Sequence, residues 1–320
     1  MNSKRAQAVM ASVLAIGGAA VMSGCGDSGE SGGGGDGQVT VGFSQATQNH
    51  PFRVAMTKGN QQWAKANGIK LVVTDAQDNP AKQVADIQSL MAQSIKVIMV
   101  SPNQADPLTP VIKQAISDGI KVLTLDRSVN TEVTQHIGGD NEKIATEVAD
   151  YLSEQLAGKG NIVEIQGTAG ASATIDRHAA FGMELKAEHP GIKVIATQYA
   201  DYSREPAQKY MDDILQRFGE GKIQGVYAHN DEMALGAIQA LERAGRLEEV
   251  KVISIDGQKE GIQAVKDRKL IATFAYPFVA PQGIQQALKA AKGEQLPPEL
   301  VLDSPRIDQS NVDEWVGKGF

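Results

Sequence analysis

The stretch Val226–Gly245, VYAHNDEMALGAIQALERAG, decides how the chain folds. A short apolar run stops at His229-Asn230-Asp231-Glu232, and a helical pattern starts at once. Ala234, Ala237, Ile238 and Leu241 recur at the spacing of a buried helical stripe. Asp231 and Glu232 fall in the first turn, where carboxylates satisfy free N–H groups and complement the helix dipole. Gly245 suits the position just past the helix end. The stretch reads as strand, polar turn, amphipathic helix. Asp231 is chiefly a structural residue of the helix start, whereas Asn230, ending the strand, is a candidate ligand contact. His229 has no second His or Cys at ligand spacing, so it reads as packed or solvated, not as a metal ligand.

Working outward, the same unit recurs. Apolar runs at 39–44, 70–76, 96–102, 121–128, 161–167, 193–200, 225–230, 251–257 and 272–277 read as strands, with helical patterns between them. The runs are continuous rather than alternating, as in parallel strands buried on both faces. Strand–helix alternation implies parallel sheets with right-handed crossovers. Nine strands are many for one sheet, and a break is expected near 136–141, HIGGDN. The expected fold class is α/β, with two doubly wound parallel-sheet (Rossmann-like) lobes. LPPE at 296–299 suggests another crossing between them.

Residues 1–24 read as a signal peptide: Lys4 and Arg5, then an apolar core, then Met22-Ser23-Gly24 before Cys25, the only cysteine of the 320 residues. This resembles a bacterial lipobox, making Cys25 a lipidation site. Residues 25–38 are Gly/Ser-rich and read as a flexible tether to the folded body. The protein is expected to be exported and membrane-anchored, on the outer face of the cytoplasmic membrane or in the periplasm. Formal net charge is −7 and aromatic content 5%, with no basic block, which argues against nucleic acid.

In open α/β sheets, ligands bind beyond the carboxyl ends of the strands. There the sequence places Ser101, Asp126-Arg127, Gln166-Gly167, Tyr202, Asn230-Asp231 and Asp256-Gly257, with Phe52-Arg53 after the first strand. Carboxylates and amides accept from hydroxyls; Arg and Asn donate to them. Aromatic rings such as Phe52, Tyr202 or Tyr276 suit the C–H face of a sugar. The loop EIQGTAGASATIDR, 164–177, matches neither G-x-G-x-x-G nor the P-loop pattern, which argues against a nucleotide. Arg177, in the helix that follows, reads equally as a cleft residue or a surface one.

The motifs NPAKQVADIQSLMAQ, LTLDRS, VEIQGTAGASATIDR, VYAHNDEMALGAIQAL and SIDG, in this order, resemble the ribose/galactofuranose-type periplasmic sugar-binding proteins of ABC importers. GFSQATQNHPFR and QGTAGASATIDR look closer to the galactofuranose branch. The resemblance implies a type I two-lobed clamp with three hinge crossovers, its lobes being 39–139 plus 277–302 and 140–276 plus 303–320. It implies sugar contacts from Asn49, Phe52, Arg53, Ser101, Asp126, Arg127, Arg177, Tyr202, Asn230, Asp256 and Tyr276. Arg53 and Ile255 stand where ribose binders carry aromatics, Ser101 where they carry Asn, and Tyr276 where they carry Gln. These departures point away from ribose.

The implied function is capture of a monosaccharide (pentose, hexose or furanose form) and its delivery to an ABC permease, without catalysis, cofactor or metal. A sugar sensor feeding chemotaxis or a sensor kinase is the alternative. An extracellular sugar enzyme using Asp126 and Asp256 as a carboxylate pair is disfavoured, because nothing in the sequence marks either as having a raised pKa. A sugar-responsive DNA-binding regulator would need a helix-turn-helix before Val39, where a signal segment and glycine tether stand instead.

Overall fold

The computed structural model describes residues 38–320. The signal segment, Cys25 and nearly all of the tether lie outside the described residues. No described helix is long and apolar enough to cross a membrane.

The strands form two six-stranded sheets. The first contains β1 (Thr40–Gln45), β2 (Lys70–Asp75), β3 (Val97–Ser101), β4 (Lys121–Leu125), β5 (Gln135–Gly139) and β11 (Glu299–Leu302), ordered β11-β5-β4-β3-β1-β2, with every pair parallel. The second contains β6 (Gly160–Gln166), β7 (Ile192–Tyr199), β8 (Gly225–Ala228), β9 (Lys251–Asp256), β10 (Ala272–Ala275) and β12 (Arg306–Asp308), ordered β12-β10-β9-β8-β6-β7. Only β12 runs antiparallel, at that sheet's edge. The doubly wound α/β class expected from the sequence is therefore present. In each sheet the strand order reverses next to the first strand, β1 or β6, where crevices open at the carboxyl ends.

All nine expected strands form, but most stop short of their predicted ends. The run 121–128 ends at Leu125 because Asp126 turns to φ 66°, out of the extended region. Three strands were not expected: β5, β11 and β12. The segment taken as a break, 136–141, first pairs with β4 as β5 and then leaves the sheet at Asp140.

Burial on both faces explains the continuous apolar runs. In β3, Val97 and Met99 join one core cluster, while Ile98 and Val100 join another on the opposite face. In β8, Val226 and Ala228 face one core and Tyr227 the other.

Ten helices are described: α1 (Pro51–Ala66), α2 (Pro80–Ala92), α3 (Ala105–Ser117), α4 (Asn141–Gln155), α5 (Ser172–Ala187), α6 (Arg204–Arg217), α7 (Asp231–Arg243), α8 (Lys259–Lys266), α9 (Gln282–Ala291) and α10 (Val312–Trp315). In α7 the predicted stripe is wholly buried. The chain passes between the sheets after β5, between β10 and β11, and between β11 and β12.

Candidate functional site

The carboxyl ends of the two sheets face one pocket of about 370 Å³. Its wall is drawn from seven loops or helix starts. His50, Phe52 and Arg53 follow β1; Asp126 and Arg127 follow β4; Ala173 and Arg177 lie on α5. Tyr202 follows β7, Asn230 follows β8, Asp256 ends β9 and Tyr276 follows β10. The lips meet above it: the Ala105 N–H donates to the Gly170 carbonyl (3.0 Å), and the Ser128 N–H to Ser172 Oγ (2.9 Å).

Three wall residues hold positive φ without being glycine: Asp126 (66°), Tyr202 (57°) and Asp256 (138°). Such conformations are costly for residues with a Cβ and cluster where a side chain must be aimed.

Nine of the eleven residues expected in the site line the pocket. Ser101 is buried behind it, where its hydroxyl accepts from Arg53 Nη1. A small residue at 101 thus leaves room for the long side chain at 53. Asn49 is exposed and does not reach the wall; its backbone N–H is held by Thr47 Oγ1 (3.1 Å), and His50 takes the lining place. His50 and Ala173 were missed because neither residue type distinguishes a wall from any other loop or helix start.

The charges are arranged in tiers. Arg53 Nη2 lies 2.6 Å from Asp126 Oδ2, and Arg127 Nε 3.8 Å from the same oxygen. Arg127 Nη1 donates to the Asn103 carbonyl (2.9 Å), and its guanidinium lies 5.1 Å from the Tyr202 ring centre. Arg177 Nε donates to Asn141 Oδ1 (2.8 Å), Nη1 to the His229 carbonyl, and its guanidinium lies 4.7 Å from the Tyr276 ring centre. Asn141 also donates to the Tyr276 hydroxyl (3.2 Å). Sequence reading missed Asn141 entirely, since only the meeting of α4 and α5 brings it to Arg177.

Burial pushes the Asp126 carboxyl up, but Arg53, Arg127 and Arg177 outweigh it and hold it below its ordinary value. Burial, with Arg53 nearby, lowers Arg127 to about 10. Asp256 goes the other way: burial and then Asp231 raise it well above the ordinary range, against Arg177. The sequence marked neither carboxylate as raised; burial in the folded chain raises this one.

Asn230, not Asp231, caps α7: its Oδ1 accepts from the Met233 N–H (3.0 Å), while its Nδ2 donates to the Tyr202 carbonyl (3.2 Å). Asp231 is fully buried, accepting from Ser254 Oγ, Thr273 Oγ1 (2.7 Å) and the Gln258 N–H (2.8 Å). It ties α7 to β9 and β10 beneath the pocket. His229 is packed, its Nε2 3.0 Å from Glu164 Oε1. One trio among the described residues, Asp150, Glu184 and His189, brings possible metal-ligand atoms within 4.8 Å of one another. None of the three lines the pocket, and His189 Nε2 already meets Asp150 Oδ1 at 2.8 Å.

A family profile described as "Periplasmic binding protein domain" matches residues 41–295. The chain is similar to the ribose import binding protein RbsB of Escherichia coli strain K12, 35% identical over 267 residues, covering 82% of this chain and 88% of that one. It is 33% identical over 273 residues to the galactofuranose-binding protein YtfQ of the same organism, covering 82% and 86%. Among solved structures, a fructose-binding periplasmic domain of a hybrid two-component system superposes with a TM-score of 0.83 at 33% identity, covering 88% of this chain and 94% of that one.

Proposed function

The chain belongs to the type I periplasmic binding proteins, and on that premise we propose that it captures a monosaccharide and hands it to an ABC importer. One observation carries the reading: between the two sheets, Asp126, Arg127, Arg177, Asn230 and Asp256 converge beside the rings of Phe52, Tyr202 and Tyr276. Buried acceptors and donors of this kind grip adjacent hydroxyls, at about 1.5–3 kcal/mol per charged hydrogen bond. The rings take the apolar faces of the sugar. Arg53 supports Asp126 and widens the contact beyond the ribose pattern, with Ser101 as its rear support.

The relatives named above are binding proteins, in keeping with a site that holds its ligand unchanged. The lobes we propose, 39–139 plus 277–302 and 140–276 plus 303–320, are supported by the sheet membership of β11 and β12. Export and anchoring at Cys25 rest on the sequence before residue 38; Cys25→Ser should release the protein from membranes in a fractionation, and retention would refute the anchor. A sensory role is the second reading, favoured by the similarity to the two-component fructose-binding domain. Deleting the gene separates the two: lost sugar uptake supports transport, lost transcriptional response with intact uptake supports sensing.

Thermal unfolding against a panel of monosaccharides, furanose-capable sugars included, tests the function. A ligand at a hundredfold excess over its Kd stabilises the fold by about 2.7 kcal/mol. We expect one or two sugars to shift the Tm and be recovered unaltered, and the shift to vanish in Asp126→Ala and Arg177→Ala. No shift with any sugar refutes the monosaccharide reading; a chemically altered sugar refutes the purely binding role.

A further inference from the structure

Phe52 has two aromatic neighbours. Tyr276 shares the pocket wall with it, ring centres 5.7 Å apart. The second, Phe320, also lies 5.7 Å away, edge-on at 72°, yet does not line the pocket. Phe320 meets Phe278 edge-on as well, at 5.8 Å, in the segment where the chain returns from β10 to α9.

The backbone behind Phe320 is fixed to the other sheet. Gly319 sits so close to the β9–α8 turn that a Cβ there would come within 2.7 Å of the Gly257 carbonyl oxygen and of the Lys259 nitrogen. The Lys259 N–H donates to the Phe320 carbonyl (3.3 Å). Gly257 directly follows Asp256, a wall residue. The tail thus starts at the turn carrying one wall residue of the second sheet and ends against another, Phe52, on the first sheet's α1. A surface cavity beside it is lined by Pro277, Phe278, Asp303 and Pro305, where the chain crosses between the sheets.

We propose that Phe320 is a positioning residue for ligand capture, bracing the Phe52 wall against the Asp256 turn beside the hinge. The proposal rests on the reading of the pocket as a sugar site. Phe320 acts through Phe52 and makes no ligand contact. Its ring resists the swing of α1 away from the β9–α8 turn, so it prolongs the closed, ligand-holding arrangement.

The test uses the full chain carrying Phe320→Ala or Phe320→Tyr, with two readouts. Hydrogen–deuterium exchange without sugar should show faster exchange in Phe320→Ala both in the first turns of α1 and at 257–262, with β3 unchanged. Stopped-flow binding of the sugar that most stabilises the wild type should show dissociation faster by about five- to tenfold, with association little changed. Phe320→Tyr should restore both. Exchange changes confined to 312–320, changes spread to β3, or unaltered dissociation would overturn the brace. If the wild type binds no sugar, the site reading fails and the exchange pattern alone decides the brace.

Discussion

Asp231 looks from sequence like an ordinary acidic residue at a helix start, and the structure makes it the buried knot beneath the pocket. Burial raises its carboxyl to about 6, against the hydrogen bonds from Ser254, Thr273 and Gln258 that act the other way. In the unfolded chain an Asp titrates at about 3.9. Between those values the native state binds more protons than the unfolded one, so this group withdraws stability as pH rises. Asp231→Asn removes that titration. The imidazoles of His50, His136 and His229, lowered by burial, titrate in both proteins, whereas Asp256, which the Asp231 charge helps to raise, falls toward its ordinary value in the variant and adds to its gain. Relative to wild type, the variant should gain on the order of 2 kcal/mol between about pH 4 and pH 6. Urea denaturation at several pH values reads this, and a constant difference across the range would mean that Asp231 keeps an ordinary pKa in the fold. Its neighbour Asn230 combines the two roles the sequence separated, cap and wall, because one amide has an oxygen for Met233 and a nitrogen facing Tyr202.

Elements end here where function begins. β6 stops at Gln166, and Gly167 follows it against the face of Tyr202. A Cβ at 167 would lie 2.0 Å from Tyr202 Cζ, so no side chain fits without displacing that ring. Tyr202 is held by Thr174 Oγ1 (2.8 Å) and stacks near Arg127. Gly167→Ala should therefore cost about 1–3 kcal/mol in overpacking and weaken sugar binding at least about tenfold. Isothermal titration beside a melting curve separates the two effects. Binding within twofold of wild type would mean that Tyr202 is not a wall for the ligand.

At the scale of the whole molecule, two sheets present their carboxyl ends to each other and the pocket exists only between them. The three passages of chain between the sheets are the natural hinges. Ligand that touches both sides binds the closed form better and shifts the population toward it. Small-angle scattering should show a smaller radius of gyration on adding the stabilising sugar, and no contraction in Arg177→Ala. An unchanged radius in the wild type would argue for a pocket that is permanently closed.

The sequence by itself determined the α/β class, nine of the twelve described strands, the stripe of α7 and most of the wall's residue types. Strands buried on both faces must be apolar throughout, and helices with one buried face must be periodic; both are local constraints that a linear pattern records. Strands β5, β11 and β12 escaped because they lie near or at sheet edges and are defined by their partners; QHIGG has almost no strand propensity of its own. Only the tertiary structure decided that Asn49 falls outside the wall, that Ser101 stands behind Arg53, and that Asn141 positions Arg177. It also decided that Asp256 is raised while Asp126 is lowered. Those outcomes depend on which loops of two separate sheets meet and how much water they exclude, and no stretch of chain encodes that by its own pattern.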